Sequence, residues 1–211
     1  LYISCWGCDQ VLVFDLEKQA WKSPIRVGDN PNEMILSAHG KLLYVCNAND
    51  NSVSVVDLKT QKVIETLDVA LYPNSPSGST TNGIAEDSKN KRLYIANADN
   101  NCLAVFDIAV PGKSRSKGFI PTGWYPTQVK LINQKIWVAN GKGNTSLANP
   151  YGPRPVKNGE EVILHGADVN APKEVQYIGS MLKGSMSVIA SPTDKELSNY
   201  SRAVYRNTSY N

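Results

Sequence analysis

The sequence predicts an all-β fold, a β-propeller present in part and followed by a short C-terminal helix. Three observations carry that prediction. Segments 2–15, 41–57 and 91–107 each alternate apolar and polar residues, break at a polar turn and alternate again, which is the pattern of a β-hairpin. In all three, thirteen residues separate the aromatic of the first strand from the aspartate closing the second: Tyr2 to Asp15, Tyr44 to Asp57 and Tyr94 to Asp107. A fourth copy opens at Lys135 as KIWVANGKG, with Trp137 in the aromatic place and Asn140 in the place of Asn97, so successive aromatics fall 42, 50 and 43 residues apart. A repeat of that length means blades or stacked arrays, and strands without helical periodicity between copies select blades.

At ~40–45 residues per blade the 211 residues hold about four to five blades of a ring expected to have about seven. The chain begins at Leu1 inside a blade, which reads as a fragment lacking its N-terminal blades. Residues 1–190 are assigned to the propeller and 191–211 to a C-terminal helix and linker. The net charge is +3 with Lys and Arg scattered, the mark of a solvated surface rather than a nucleic-acid patch. No run of eighteen apolar residues is present, so no membrane span is expected.

Taken in order, residues 16–27 make the outer strand of the first blade. Gly28-Asp29-Asn30-Pro31 turns the chain, and Asn32–Ser37 forms the next inner strand. The same order recurs at Thr122-Gly123-Trp124-Tyr125-Pro126-Thr127 before Val129–Ile132; in both, Gly and Pro stand three apart. Lys62–Val69 is the second blade's outer strand, and the long Pro/Gly/Ser loop from Leu71 to Thr81 accounts for the 50-residue spacing. In the third blade, Pro111–Lys117 reads as a solvated basic insertion before Gly118-Phe119-Ile120. Gly141–Gly159 is too rich in Pro and Gly to hold strands, and its Gly141/Gly143 pair is a weak mimic of a phosphate-cradling loop. Strand character returns at Glu174–Ser180 and Gly184–Ala190, expected to complete the last blade. Thr193 and Glu196 form a capping box, and Leu197, Tyr200 and Val204 share one helix face that should pack on a blade or a following domain; Asn207–Asn211 read as linker.

Cys5-Trp6-Gly7-Cys8 has the spacing of a redox or metal pair, yet it spans a hairpin turn, no second pair exists, and His39 and His165 are the only histidines. It is therefore read as structural. Cys46 and Cys102 fall at strand positions, where cysteine is a small buried hydrophobe. No metal ligand set, catalytic residue or cofactor is assigned, and Asp15, Asp57 and Asp107 are read as turn caps and strand ends. The candidate binding set is Asn82, Trp124, Tyr125, Asn140 and Lys142. Loops joining outer to next inner strands should gather Asn30–Asn32, Thr81-Asn82 and Trp124-Tyr125 at one channel end, where aromatic, amide and hydroxyl groups suit a sugar, a base or a partner's loop; the alternative, which weighs more, is that Trp124 packs over the blade edge and Tyr125 plugs the channel.

The hairpins YVCNANDNSVSVVD and YIANADNNCLAVFD resemble YVTN-type, or YncE-like, β-propeller repeats. The order GSTTNGIAEDSKNKRLYIANADNNCLAVFDI, GFIPTGWYPTQV, WVANGKG, GSMLKGSMSVI and YSRAVYRNTSYN is similar to bacterial proteins that join such a propeller to an alkaline-phosphatase-superfamily phosphoesterase; segment 144–173 departs from that pattern. The resemblance implies a non-catalytic scaffold or recognition domain in a periplasmic or extracellular protein. Its partners would be the rest of the parent chain, or a second chain completing the ring, and a phosphoesterase domain, which alone would carry divalent metals. The alternatives are a stand-alone propeller enzyme, lactonase- or phytase-like, and a surface-layer-type binding protein.

Overall fold

The computed structural model of the chain describes residues 1–145, 161–163, 174–176 and 182–208. The strands form four successive antiparallel sheets. The first holds β1 (Tyr2–Cys5), β2 (Gln10–Asp15), β3 (Ala20–Trp21) and β4 (Ile25–Arg26), with both short strands paired to β2. The outer strand expected over 16–27 is thus two pieces, parted by Lys22-Ser23-Pro24, because proline has no N–H for the ladder. The second sheet is β5 (Pro31–Leu36), β6 (Leu42–Asn47), β7 (Ser52–Asp57) and β8 (Lys62–Asp68). The third is β9 (Thr81–Asp87), β10 (Arg92–Asn97), β11 (Cys102–Asp107) and β12 (Arg115–Pro121). Arg115–Lys117, assigned to a loop from composition, belong to β12: they lie at the blade's exposed outer edge, where polar side chains meet water.

The fourth sheet begins with β13 (Pro126–Ile132) and β14 (Lys135–Asn140). Two short strands, β15 (Glu161–Ile163) and β16 (Glu174–Gln176), pair in parallel with each other, and only then does β17 (Ser185–Ala190) pair with β14. The expectation that Glu174–Ser180 would join the last blade is corrected: Glu174–Gln176 ladders with β15, and 177–180 lie outside the described residues, as do 146–159 of the Pro/Gly-rich segment. β17 takes the third place in the blade instead.

Cross-strand register shows the repeat at atomic level. Tyr2 faces Val13, Tyr44 faces Val55, Tyr94 faces Val105 and Trp137 faces Val188. The fourth hairpin therefore exists, but where four residues separate Asn47 from Ser52, forty-four separate Asn140 from Ser185. The ends are clipped alike. Asn47 Nδ2 donates to Ser52 Oγ and Ser54 Oγ, both at 2.9 Å, and Asn140 Nδ2 donates to Ser185 Oγ at 3.3 Å and Ser187 Oγ at 2.9 Å. Blade three has Cys102 and Ala104 at the serine places, so Asn97 Nδ2 turns to the Val69 carbonyl at 2.7 Å.

In blade one the asparagine place is Cys5, which is disulfide-bonded to Cys8 across the turn. Cys46 and Cys102 are free and buried; burial, and for Cys46 also the Glu33 carboxylate, pushes both thiols up, Cys102 to about 12. The thiolate is the reactive form. In the folded protein at pH 8 a disulfide-exchange reagent should therefore titrate neither Cys46 nor Cys102, both should appear on denaturation, and Cys5 and Cys8 only after reduction. Stoichiometric reaction of native protein would refute this.

Three apolar clusters fill the three interfaces between successive blades: Val11, Val13 and Val45 between one and two; Val55, Leu93 and Ile95 between two and three; Tyr94, Val105, Val129 and Val138 between three and four. Among the described residues no buried cluster joins blade four to blade one, so the blades form an arc. Helix α1 (Asp194–Arg206) runs beside β12 and closes blade three from outside. Thr193 caps it, accepting from the Glu196 N–H while the Glu196 carboxylate accepts from the Thr193 N–H, which holds that carboxyl below its usual range. Leu197 enters the cluster between blades three and four, and Val204 that between two and three. The close approach needs Gly118, at φ +127°, where a Cβ would overlap the Ser201 hydroxyl; that hydroxyl accepts from the Phe119 N–H at 2.9 Å. Among the described residues no helix is long and apolar enough to cross a membrane.

Candidate functional site

Antiparallel strands alternate direction, so the second-to-third-strand turn of each blade and the connection leading into that blade's first strand lie at the same end. Backbone hydrogen bonds join them identically in three blades. Ala48 N–H donates to Asn30 O, Ala98 N–H to Thr80 O and Gly141 N–H to Tyr125 O, at 3.0, 3.1 and 2.8 Å. The next residue repeats the bond: Asn49 to Asp29, Asp99 to Ser79, Lys142 to Trp124. Gly28 and Gly123 hold equivalent places above the clipping asparagines. A Cβ would stand 2.6 Å from Asn47 Nδ2 at the first and 2.7 Å from Asn140 Nδ2 at the second, so no side chain fits.

At the end of this connection Asn30, Thr80 and Tyr125 share a left-handed backbone, with φ 55°, 49° and 59°. Asparagine tolerates it; a bulky tyrosine does so at a strain of roughly 1–3 kcal/mol. Three contacts hold Tyr125 there. Its N–H donates to Asn101 Oδ1 at 2.8 Å, its carbonyl accepts from Gly141, and Lys142 Nζ lies 4.1 Å from the ring centroid, a cation–π geometry. Trp124, 39% exposed, has its N–H on Gly143 O at 2.6 Å and its carbonyl on Lys142 N–H, so its ring stands on a fixed backbone.

The five candidates therefore separate. Trp124, Tyr125 and Lys142 form one assembly. Asn82 sits half-buried on β9, where its Oδ1 accepts from Asn32 Nδ2 of the neighbouring inner strand β5; of the three connections expected to meet at the channel, this contact joins two. Asn140 is buried at 2% exposure, its Nδ2 already committed to Ser185 and Ser187, and acts beneath the site as a clip. Residue reasoning missed Asn101 and Gly123. The signal for Asn101 was present, since Asp9, Asn51 and Asn101 occupy one repeat position and each side chain receives a backbone N–H of the connection into the following blade.

The carboxylates are employed elsewhere. Asp15 accepts from the N–H groups of Glu17 and Lys18, Asp57 from Thr60 and Asp107 from Ala109. Those backbone donors, Lys18 foremost for Asp15 and Thr60 for Asp57, hold these two carboxyls below the ordinary aspartate value. Among the described residues no group of three or more His, Cys, Asp or Glu is placed to hold a metal ion. Lys130 Nζ of β13 meets Glu33 Oε1 of β5 at 3.2 Å, reaching across β9, which packs against both strands.

No curated protein matches the chain. Solved structures do. Hydrazine synthase from Kuenenia stuttgartiensis superposes with a TM-score of 0.54 at 24% identity over 66% of this chain and 38% of that one. A candidate 6-phosphogluconolactonase from Bacteroides uniformis gives 0.56 at 16% identity, over 66% and 43%. At these identities the likeness is one of fold, and the chain spans less than half of either structure. The family model described as lactonase, seven-bladed β-propeller, matches residues 1–154, which include the first three sheets, β13 and β14, and the chain belongs to that family.

Proposed function

We propose that the chain is a recognition domain rather than the catalytic part of its protein, with its working surface at the Trp124–Tyr125–Lys142 end. The observation that carries this reading is Tyr125: a bulky residue kept in a left-handed backbone by Asn101, Gly141 and Lys142, beside an exposed Trp124 on a pinned backbone. Strain retained at a half-buried tyrosine beside an exposed tryptophan is a mark of a surface shaped for contact. The closing order of motifs supports a phosphoesterase domain as the companion, in a bacterial parent that supplies the divalent metals and the chemistry. The disulfide between Cys5 and Cys8 supports a periplasmic or extracellular setting, where such bonds persist. Exposed Leu1 and Ile3 at one end of the arc, and Met186 and Val188 at the other, support further blades or a second chain as partners.

A second reading is a propeller hydrolase acting on lactones, favoured by the family match over residues 1–154. One experiment divides the two. The full chain, incubated with glucono-δ-lactone, 6-phosphogluconolactone and p-nitrophenyl phosphate, should give no turnover above buffer, with or without added divalent cations. Turnover abolished by substitution at the Trp124–Tyr125 end would overturn the recognition reading in favour of the hydrolase.

A further inference from the structure

Where α1 ends, its last turn and the residues after it meet the blade-three turn and the connection into blade four, and between them lies a cavity of about 310 Å³. That volume falls within the range of small-molecule sites, roughly 300–1,000 Å³. Trp124 forms one wall, Pro121 and Val204 supply apolar surface, and Asn100, Asn101 and Asn207 bring amides; none of the lining residues is ionisable.

The hydrogen-bonding inventory of these amides is half spent in a definite way. Asn101 Oδ1 takes the Tyr125 N–H at 2.8 Å, leaving its Nδ2 as a free donor. Asn100 Nδ2 donates to Ser79 Oγ at 2.8 Å, leaving its Oδ1 as a free acceptor. The Asn207 side chain holds both functions in reserve. A donor and an acceptor on neighbouring residues that both line the cavity suit a vicinal diol, whose hydroxyls each donate and accept a hydrogen bond. An indole face beside them matches the apolar C–H face of a pyranose ring, and a wall without charge favours a neutral ligand over a phosphorylated or carboxylated one.

We propose that this cavity is a binding site for a neutral pyranose, with Trp124 as the stacking platform and Asn100, Asn101 and Asn207 as the hydroxyl partners. It rests on the recognition reading, to which it adds a ligand class and a place. It differs from a lactonase site in needing no group that polarises a carbonyl.

The test is isothermal titration of the full chain with glucose, galactose, mannose and their methyl glycosides, with glucose 6-phosphate and gluconate as charged controls. Saturable binding of at least one neutral pyranose is expected, weakened at least tenfold in W124A and in N101D. The second variant keeps an oxygen for the Tyr125 N–H and replaces the free donor with a charged, acceptor-only carboxylate oxygen, and an unchanged thermal midpoint of each variant separates ligand recognition from folding; N207A, at an exposed position, removes a partner without adding charge. Free sugars and methyl glycosides differ in whether the anomeric hydroxyl is needed, which tells a soluble monosaccharide from a glycan end. Absence of binding by every neutral sugar, binding unchanged in W124A and N101D, or tighter binding of the charged controls would each overturn the proposal. Turnover abolished by substitution at the Trp124–Tyr125 end would sink the recognition reading and the cavity's role with it, whereas these binding outcomes sink the cavity and leave the recognition reading standing.

Discussion

Replacing Tyr94 by alanine is expected to lower the stability of the chain by about 3–5 kcal/mol, the range for emptying a buried aromatic position. Tyr94 is fully buried between blades three and four, in one cluster with Leu103, Val105, Val129, Ile136 and the helix residue Leu197. Its hydroxyl lies 3.1 Å from Ser191 Oγ, ahead of the helix cap. Tyr94→Phe should therefore cost about 1 kcal/mol, the scale of one hydrogen bond, and separate that bond from the packing. Tyr2, which holds the same repeat position but is only half-buried, should lose much less on truncation. Urea unfolding of the three variants measures this, and a Tyr94→Ala loss below that of Tyr2→Ala would contradict the interface assignment.

Gly83→Val is the second substitution with a large expected effect. A Cβ at Gly83 would stand 2.8 Å from Gln128 Cα and 3.1 Å from Val129 N, which are backbone atoms of the neighbouring inner strand and cannot rotate away. Strands β9 and β13 would have to part, at a cost of about 1–3 kcal/mol or more for overpacking. The Glu33–Lys130 pair, which joins β5 to β13 across β9, would lengthen as well, though a half-exposed pair adds little to the total. Gly83→Ala should show most of the same loss. Stability equal to the parent would mean that the inner strands do not approach as closely as the structure has them.

How much of this was legible in the residues depends on spacing. Three hairpins of constant length put Tyr2, Tyr44 and Tyr94 in register without any structure, because a period-2 pattern leaves one choice of facing side. The fourth hairpin was half hidden: Ser185 and Ser187 match Ser52 and Ser54, but forty-four residues keep them from being read as one turn. Arg115–Lys117 were misplaced because an outer-edge strand shows water on both faces and loses its alternation. Cys5 and Cys8 announced a pair but not its use. In the candidate site, Trp124 and Tyr125 stood out as aromatics in a turn. The backbone of Tyr125 did not, since only alignment of Gly123-Trp124-Tyr125-Pro126 with Gly28-Asp29-Asn30-Pro31 places it where asparagine tolerates a left-handed φ. Asn140 was legible as a repeat asparagine but not as buried, because burial came from Gly123 and the distant Ser187.

The long segment inside the fourth hairpin also bears on the order in which the blades assemble. Closing a loop costs entropy that grows with the logarithm of its length, so joining β14 to β17 across forty-four residues rather than four adds about 2 kcal/mol to the initial search. The β6–β7 and β10–β11 pairs meet through short turns and close locally, whereas the fourth sheet must wait for a distant strand. Ser191, bonded to Tyr94 one residue beyond β17, and α1 beyond it are then expected to dock after that strand is in place. Blade three, although its own four strands are contiguous, is on this arithmetic expected to be sealed last, and α1 should gain hydrogen-exchange protection after β10 and β11.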